Sequence, residues 1–307
     1  MSAAKSHPPD WNFLGLPPDL SGRNTAAAWV LPIPHEATVS YGAGTRDGPA
    51  AIIAASQQVE WFDRDFGVEP AADFGIHTMA PLAPGRRSPE AMMAAIETAV
   101  AKILSGKPAP RVLAVLGGEH SISGGVARGM ARAGYKDFVT VHVDAHADLR
   151  DAYDGTPFSH ACAARRILEV SPVFQVGIRS LSSEEDAFRR RCRKLTTVFA
   201  EDALASRAYL KDLAAFVRGK TVFLTMDLDG LDPAEMPAVG TPEPGGLSWT
   251  ALLDIVRTVC RQAKAVPVFD VVELAPIAGM HAPDFLAAKL VYKVFSHALL
   301  KPRGEKR

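Results

Sequence analysis

The sequence predicts an α/β fold in which helices cover both faces of a mostly parallel sheet. Short apolar runs alternate along the chain with helical segments of roughly 10 to 16 residues, a pattern typical of parallel sheets. The runs are continuously apolar, as expected for strands that are buried on both faces. No repeat or long linker divides the chain, so we expect one domain over residues 26–307. Residues 1–25 are interpreted as an extended N-terminal arm that Trp11, Phe13 and Leu14 could dock.

The individual elements are predicted from these runs and from the Gly and Pro residues that separate them. Apolar runs predict the strands Ala26–Leu31, Val112–Leu116, Val139–Val143, Val173–Gly177, Val222–Met226 and Val266–Val272. Longer segments predict the helices Pro49–Ala55, Ala91–Leu104, Ile122–Ala133, Ala161–Glu169, Tyr209–Val217, Trp249–Lys264 and Phe285–Leu300. Pro49 suits a first helical turn. Gly134 stands where helices commonly end on glycine.

The composition is that of an ordinary globular protein, with 48 % apolar and 22 % charged residues. The formal net charge is zero, so nothing favours nucleic acid or an anionic membrane as a partner. No apolar run approaches the ~20 residues that cross a bilayer, and a signal-peptide pattern is absent, so we expect a cytoplasmic protein. Cys162, Cys192 and Cys260 are too few and too scattered for a disulfide framework, and we expect free thiols.

Carboxylate and imidazole side chains collect where three of the predicted strands end. These side chains belong to His120, Asp144, His146, Asp148, Asp227 and Asp229. Ligands of open parallel sheets bind beyond the carboxyl ends of the strands. Residues i, i+2 and i+4 of an extended segment also point to the same side. We therefore expect these side chains to converge at one edge of the sheet.

Four converging carboxylates need positive charge between them. At an effective dielectric constant near 20, each carboxylate pair about 4 Å apart costs about 4 kcal/mol, and two divalent cations would cancel the charge. Oxygen and nitrogen ligands without thiolate suit Mn²⁺, and also Fe²⁺, Co²⁺, Ni²⁺ or Zn²⁺. Aspartates are also common in ordinary turns, but three matched segments favour a metal site. Paired metals typically activate a water molecule, which predicts hydrolysis.

Three segments resemble the signatures of the ureohydrolases, the family that includes arginase and agmatinase. They are Gly117–Ser121, Asp144–Asp148 and Asp227–Pro233, and Gly240–Leu247 resembles the loop after the third signature. The resemblance extends from about residue 30 to about residue 300 and departs at Ala147, where the family usually has Thr. It implies an arginase-like three-layer α/β/α sandwich, a single catalytic domain over residues 26–307, two Mn²⁺ ions per chain, and a homo-oligomer, either a trimer or a hexamer.

The resemblance also implies a role for each matched residue. His120, Asp144, Asp148 and Asp227 would bind one metal ion, and Asp144, His146, Asp227 and Asp229 would bind the other. Asp229 is expected to take part in catalysis as well. Glu273 would hold the substrate guanidinium through paired hydrogen bonds, and His160 would shuttle a proton near the leaving group. From its position on a strand, His142 is expected to be either a hydrogen-bonded core histidine or a support for a ligand, and Glu119 is expected to orient its loop.

The loop after the second signature bears on the substrate. It lacks the polar Asn and Ser contacts with which arginases recognise an α-amino acid, and it looks more like that of agmatinase. Asp151 and Asp154 would suit a cationic amine tail, although Arg150 lies beside them. We expect hydrolysis of agmatine to putrescine and urea. Guanidinobutyrate, guanidinopropionate, guanidine and arginine stay open as substrates, as do a zinc deacetylase and a non-catalytic paralogue as protein classes.

Overall fold

The computed structural model describes residues 11–85 and 87–300, which form a three-layer α/β/α sandwich. Its eight-stranded sheet is parallel throughout, in the order β2-β1-β3-β8-β7-β4-β5-β6. The strands are β1 Ala28–Ile33, β2 Ile76–Thr78, β3 Val112–Gly117, β4 Val139–Val143, β5 Val173–Ile178, β6 Leu195–Phe199, β7 Thr221–Asp227 and β8 Ala265–Val272. The prediction of a mostly parallel sheet is confirmed.

Helices cover both faces of this sheet. They are α1 Pro18–Ser21, α2 Gly48–Ser56, α3 Pro70–Phe74, α4 Pro89–Leu104, α5 Ile122–Arg132, α6 Ala163–Ile167, α7 Ser183–Arg189, α8 Ala200–Ala205, α9 Tyr209–Val217, α10 Trp249–Gln262 and α11 Ala282–Leu299. Short 3₁₀ turns span Phe13–Gly15, Thr45–Asp47, His160–Cys162 and Leu228–Gly230. Within the described ranges, no helix is both long enough and apolar enough to span a membrane.

Two hydrophobic cores fill the space between the layers. Along β1, Val30 belongs to one core, whereas Trp29 and Leu31 belong to the other, because successive side chains of a strand point to opposite faces. The first core also takes apolar side chains from α2, α9, α10 and α11. The second takes them from α4, α5 and α6. Both faces of the sheet are therefore buried, which accounts for the continuously apolar strands.

The strands β3, β8, β7 and β4 lie side by side at the centre of the sheet. Their register brings the carboxyl ends level, since Leu116 pairs with Val271 and Asp227 pairs with Val272. The loops that leave these four strands carry the predicted ligands. The sheet order therefore assembles the residues from segments that are far apart in sequence.

The structure corrects several predicted bounds. The helix expected over Ala161–Glu169 is a 3₁₀ turn followed by the short α6. Strand β6 escaped prediction because it is only half-buried and carries no continuous apolar run. Within the proposed arm, residues 11–25 form short helical turns rather than extended chain, and Phe13 and Leu14 are buried against the first core. Residues 1–10 and the basic tail after Leu300 lie outside the described residues. The three cysteines are free thiols, of which Cys162 is buried.

A polar cluster ties α11 to the loop before α3. His297 is buried there, with its ring centroid 4.9 Å from that of Phe66 and its Nε2 3.6 Å from Asp65 Oδ2. Burial, together with the positive charges of Lys293 and Arg257, lowers the pKa of His297 to about 4, against the opposing effect of Asp65 and Asp63. His297 therefore stays neutral in the folded protein at neutral pH.

This buried histidine should make the fold acid-sensitive. Between pH 6.5 and about 4 the unfolded chain binds a proton that the folded protein does not, so stability falls as pH drops through this window. The loss due to His297 is expected to be on the order of 3 kcal/mol. Urea unfolding at pH 7 and pH 4.5 should show a smaller loss for His297→Gln than for the parent protein. An equal loss in both would contradict the assignment.

Candidate metal centre

Three carboxylates surround one imidazole nitrogen at the carboxyl edge of the sheet. Nδ1 of His120 lies 3.0 Å from Asp144 Oδ2, 3.1 Å from Asp227 Oδ2 and 3.3 Å from Asp148 Oδ2. All four side chains are buried. Asp144 follows β4, and Asp227 ends β7. The two aspartates meet here because β4 and β7 are neighbouring strands.

A second cluster adjoins the first. Nδ1 of His146 lies 2.9 Å from Asp229 Oδ2 and 3.6 Å from Asp144 Oδ1. Asp144 therefore presents one oxygen to each cluster. The structure brings together the six residues that the sequence predicted as metal ligands.

Local turns aim these carboxylates. Oδ1 of Asp144 accepts a hydrogen bond from the His146 backbone N–H at 2.6 Å. Oδ1 of Asp227 likewise accepts one from the Asp229 backbone N–H at 2.8 Å. In both segments an aspartate carboxylate accepts a hydrogen bond from the backbone N–H two residues later, which is a common arrangement of aspartate in turns. The Asp-x-His and Asp-x-Asp spacings are thus sequence signatures of this geometry.

Gly118 lets the chain reach His120. A Cβ at this position would lie 2.0 Å from the backbone oxygen of His35, so only glycine fits beneath the loop that passes over it. The backbone N–H of Gly118 donates to Ile33 O at the end of β1. Gly118, directly after β3, is therefore required by the close packing of two backbones.

The charges of this cluster fit divalent cations. Burial and the neighbouring carboxylates raise the pKa of both Asp148 and Asp227 well above the usual range. Burial opposes the charged form of His146, but Asp144 and Asp229 raise its pKa to about 12. Nδ1 of His120 is buried and has no hydrogen-bond partner among the described residues, although three carboxylate oxygens face it. Oxygen and imidazole donors of this kind suit metals such as Mn²⁺ and Zn²⁺.

His142 lies beside the cluster, with both of its nitrogens occupied. Its Nε2 is 2.8 Å from Asp144 Oδ2, and its Nδ1 is 3.0 Å from Gln175 Nε2. The Gln175 amide must donate, so Nδ1 accepts and the Nε2–H donates to Asp144. His142 is close enough to be counted with the potential ligands. Its hydrogen bonds instead make it a support for Asp144, one of the two roles that its position in the sequence left open.

A chain of hydroxyl groups behind His120 was not predicted. Nε2 of His120 is 2.9 Å from Thr225 Oγ1, which lies 3.4 Å from Ser123 Oγ. Ser123 Oγ donates to the buried carboxylate of Asp270 at 2.7 Å. The available signal was an aspartate inside the otherwise apolar strand β8. Such outer contacts fix the ring orientation of a metal-binding histidine.

Glu273 follows β8 and faces the same pocket as the cluster. Its Oε1 accepts a hydrogen bond from the His120 backbone N–H at 2.6 Å. Its backbone adopts a left-handed conformation, with φ at 66°. Burial raises the pKa of Glu273 to about 8. The carboxylate is therefore poorly solvated and suited to a cationic partner.

The pocket above the cluster brings the predicted catalytic residues together. His160, Asp229 and Glu273 line it, as do residues 39–42, whose Tyr41 is exposed. His160 begins the 3₁₀ turn His160–Cys162 and packs edge-on against Tyr153, with ring centroids 5.8 Å apart. Burial lowers the pKa of His160, against the opposing effect of the carboxylate of Glu119.

An outer pocket continues from this one toward solvent, lined among others by Arg150, Ser182 and Glu185. Neither Asp151 nor Asp154, which the sequence suggested for a cationic tail, lines either pocket. Asp151 turns outward instead and pairs with Arg166 of α6 at 3.0 Å. Glu185 of α7, which the sequence did not single out, lines this pocket together with the predicted ligand Asp148.

Arg179 holds the surrounding loops and was also missed. Its guanidinium donates to the backbone oxygens of Asp229 at 2.8 Å and of Glu243 at 2.7 Å. It thereby fastens the third signature segment to the loop that follows it. The sequence signal for this role was an arginine directly after the apolar strand β5, because a guanidinium at that position needs hydrogen-bond acceptors.

Comparisons with known proteins agree with this geometry. A family model described as the arginase family matches residues 26–296. N(1)-aminopropylagmatine ureohydrolase of Synechocystis sp. is 38 % identical over 277 residues, 89 % of each chain. Agmatinase of Bacillus cereus is 34 % identical over 255 residues, which cover 81 % of this chain and 83 % of that protein. The structure of the agmatine ureohydrolase of Thermoplasma volcanium superposes with a TM-score of 0.79 at 30 % identity, covering 91 % and 92 % of the two chains.

Proposed function

Because this chain belongs to the arginase family, we propose that it hydrolyses agmatine to putrescine and urea. Hydrolysis of an amidino C–N bond is the activity that this family and the curated relatives share. One observation links the proposed hydrolysis to this site. A buried carboxylate, Glu273, lines the same pocket as a cluster of carboxylates and imidazoles suited to divalent metals.

We propose that the cluster holds two Mn²⁺ ions. His120, Asp144, Asp148 and Asp227 would hold the first, and Asp144, His146, Asp227 and Asp229 the second. The distances around His120 and His146 support this division for Asp144, Asp148 and Asp229, and Asp144 faces both histidines. Asp227 lies beside His120, and its assignment to the second ion follows the family resemblance. When bound, such a metal pair lowers the pKa of water and supplies a nucleophile near neutral pH.

Glu273 is proposed to bind the guanidinium group of the substrate. One of its oxygens already accepts from the His120 backbone, so the carboxylate is held in place before the substrate arrives. A guanidinium beside it would form charge-assisted hydrogen bonds and replace the missing solvation of the buried carboxylate. The guanidinium carbon would then be held close to the metal cluster.

Asp229 and His160 are proposed to move protons. Asp229 contacts His146 and lines the pocket, so it can take a proton from the attacking water. His160 lines both the inner and the outer pocket. It therefore stands where the leaving amine must pass and can hand it the proton that it needs.

The outer pocket is proposed to receive the amine tail. Glu185 supplies a carboxylate and Ser182 a polar neighbour, whereas Arg150 is drawn toward Glu185, with Nε 3.8 Å from Oε2. N(1)-aminopropylagmatine is a second candidate substrate, favoured by the relative at 38 % identity. Its longer tail would occupy more of this pocket.

A substrate panel with urea detection tests the proposal. Agmatine or N(1)-aminopropylagmatine should give a kcat/KM at least about tenfold above those of guanidinobutyrate, guanidinopropionate, guanidine and arginine, because a cationic tail gains from a buried carboxylate. Faster turnover of guanidinobutyrate would refute the assignment of the tail. A single tightly bound Zn²⁺ per chain would instead favour a deacetylase-like enzyme, and metal binding without any urea release would favour a non-catalytic paralogue.

We further propose that the active species is a trimer or a hexamer, as the family resemblance suggests. Light scattering coupled to size-exclusion chromatography measures the mass directly. A monomer with full activity would contradict the proposal.

A further inference from the structure

A fully buried glutamate lies between the metal cluster and the loop at the mouth of the pocket. Oε2 of Glu119 accepts hydrogen bonds from the backbone N–H groups of Ala37 at 2.6 Å and of Thr38 at 2.7 Å. Its Oε1 accepts from the hydroxyl groups of Thr38 at 2.8 Å and of Ser121 at 2.6 Å. Glu119 therefore accepts on both oxygens and fixes the side chain of Thr38.

The same threonine contacts His160 twice. The His160 backbone N–H donates to Thr38 Oγ1 at 3.1 Å. Nδ1 of the His160 ring lies 3.2 Å from the same oxygen. One hydroxyl group thus joins Glu119, which follows β3, to both the backbone and the ring of His160.

The hydrogen count decides the direction of these bonds. A threonine hydroxyl has one hydrogen and two lone pairs. The hydrogen goes to the Glu119 carboxylate, so a lone pair faces Nδ1 of His160. If Nδ1 carried no hydrogen, its lone pair would face a lone pair of Thr38 Oγ1 at a distance of 3.2 Å. Nδ1 must therefore carry the hydrogen, and Nε2 keeps its lone pair free.

We propose that Glu119 and Thr38 are positioning residues that fix the tautomer and the orientation of His160. The proposal rests on the proton-transfer role given to His160 above. With the hydrogen held on Nδ1, Nε2 is the atom that accepts a proton and returns it to the leaving amine. An oriented imidazole needs no rotation or tautomer change before each transfer.

Ser159 offers a competing contact. Its Oγ lies 3.3 Å from the same Nδ1 and could donate to it, which would invert the tautomer. The Ser159 contact is longer than the Thr38 contact. The Ser159 hydroxyl can also act as an acceptor, so that the hydrogen on Nδ1 is shared between the two oxygens. Only the arrangement with hydrogen on Nδ1 satisfies both Thr38 and Ser159.

Glu119 also ties this arrangement to the mouth of the pocket. The backbone that it holds at Ala37 and Thr38 leads directly into residues 39–42, which line the pocket. Glu119 thus anchors both residues 39–42 at the pocket and, through Thr38, the proposed proton carrier His160. Glu119 directly precedes the proposed ligand His120, so the anchor is continuous with the metal centre.

Thr38→Val tests the proposal, because it keeps the shape of the side chain and removes the hydroxyl. We expect kcat to fall about 10- to 100-fold, part of the usual contribution of a positioned acid or base. KM should stay within about twofold and the metal content should stay unchanged. Thr38→Ser restores a hydroxyl and should recover most of kcat.

Thr45→Val is the matched control. Thr45 is a buried threonine of the same segment, and its hydroxyl donates to the carboxylate of Glu36 at 3.1 Å without contacting His160. This variant should keep kcat. A kcat within twofold of the parent in Thr38→Val, or an equal loss in Thr45→Val, would overturn the positioning role.

Neutron diffraction of the unaltered holoenzyme gives an independent test that needs no variant to fold. Deuterium is expected on Nδ1 of His160, directed at Thr38 Oγ1. Deuterium on Nε2 alone would overturn the proposal. Because this observation involves no substrate, it stands even if the protein hydrolyses no guanidino compound. In that case the proposed function fails while the tautomer assignment survives.

Discussion

Asp227→Ala is expected to lower urea formation by more than about 100-fold, because loss of even an outer contact to a metal ligand typically costs 10- to 100-fold. Oδ2 of Asp227 faces His120, and its Oδ1 holds the turn that aims Asp229. Removing this side chain takes away one proposed bridging ligand and loosens Asp229, a proposed ligand of the second ion. The loss should therefore come from lower metal content, measured by mass spectrometry of the metals alongside urea release.

Two further variants separate charge from turn geometry. Asp227→Asn keeps an oxygen that can accept from the Asp229 backbone N–H but removes the negative charge, so it should also lose metal. Asp212→Asn is the matched control, since Asp212 is exposed on α9 and is not one of the cluster residues. It should keep metal and activity. Equal metal content and full activity in Asp227→Ala would refute the bridging role.

Glu273→Gln is expected to keep its metal and lose substrate. The amide oxygen can still accept from the His120 backbone N–H, so the local structure should hold. The negative charge that would pair with the guanidinium is gone. Unpairing a buried charged group costs roughly 3 to 5 kcal/mol, so kcat/KM should fall at least about 100-fold. Steady-state kinetics and metal analysis on the same preparation check both halves of this expectation.

A Glu→Gln change far from the pocket provides the control. Glu169 pairs with Arg128 at 2.6 Å on the surface, so Glu169→Gln should leave the kinetic constants unchanged. Loss of metal in Glu273→Gln would show that the glutamate supports the cluster rather than the substrate. Unchanged kcat/KM with full metal content would remove Glu273 from the site.

Most of the sheet followed from the sequence because its strands are continuous apolar runs. The strand Val139–Val143 and the helix Tyr209–Val217 have the predicted bounds, and α10 begins at the predicted Trp249. The short edge strands β2 and β6 were missed. A strand of three residues, or one that is only half-buried, carries too little of the apolar signal.

The candidate metal cluster was predictable for a related reason. Asp144, His146 and Asp148 lie two residues apart, and Asp227 and Asp229 share that spacing. We interpreted this spacing as extended chain, whereas in the structure turns aim the side chains, and Asp229 lies in the 3₁₀ turn Leu228–Gly230. The cluster then needed only the rule that strand ends of a parallel sheet meet at one edge. The surroundings of Asp151 were not predictable in this way, because Asp151 lies beside Arg166 only once α6 has packed, and no local pattern reveals that pairing.

The amino-acid sequence was sufficient to predict the fold class, the main strands along the chain and the residues that converge where those strands end. These depend on neighbours along the chain, whose spacing is printed in the sequence. The order of the strands in the sheet and the hydrogen-bond partners of the site residues became known only from the folded structure. Thr38 lies 81 residues before Glu119 and 122 before His160, and Gln175 lies 33 after His142. Such hydrogen bonds exist only when loops from different strands close over one another, so they depend on packing that no short segment encodes.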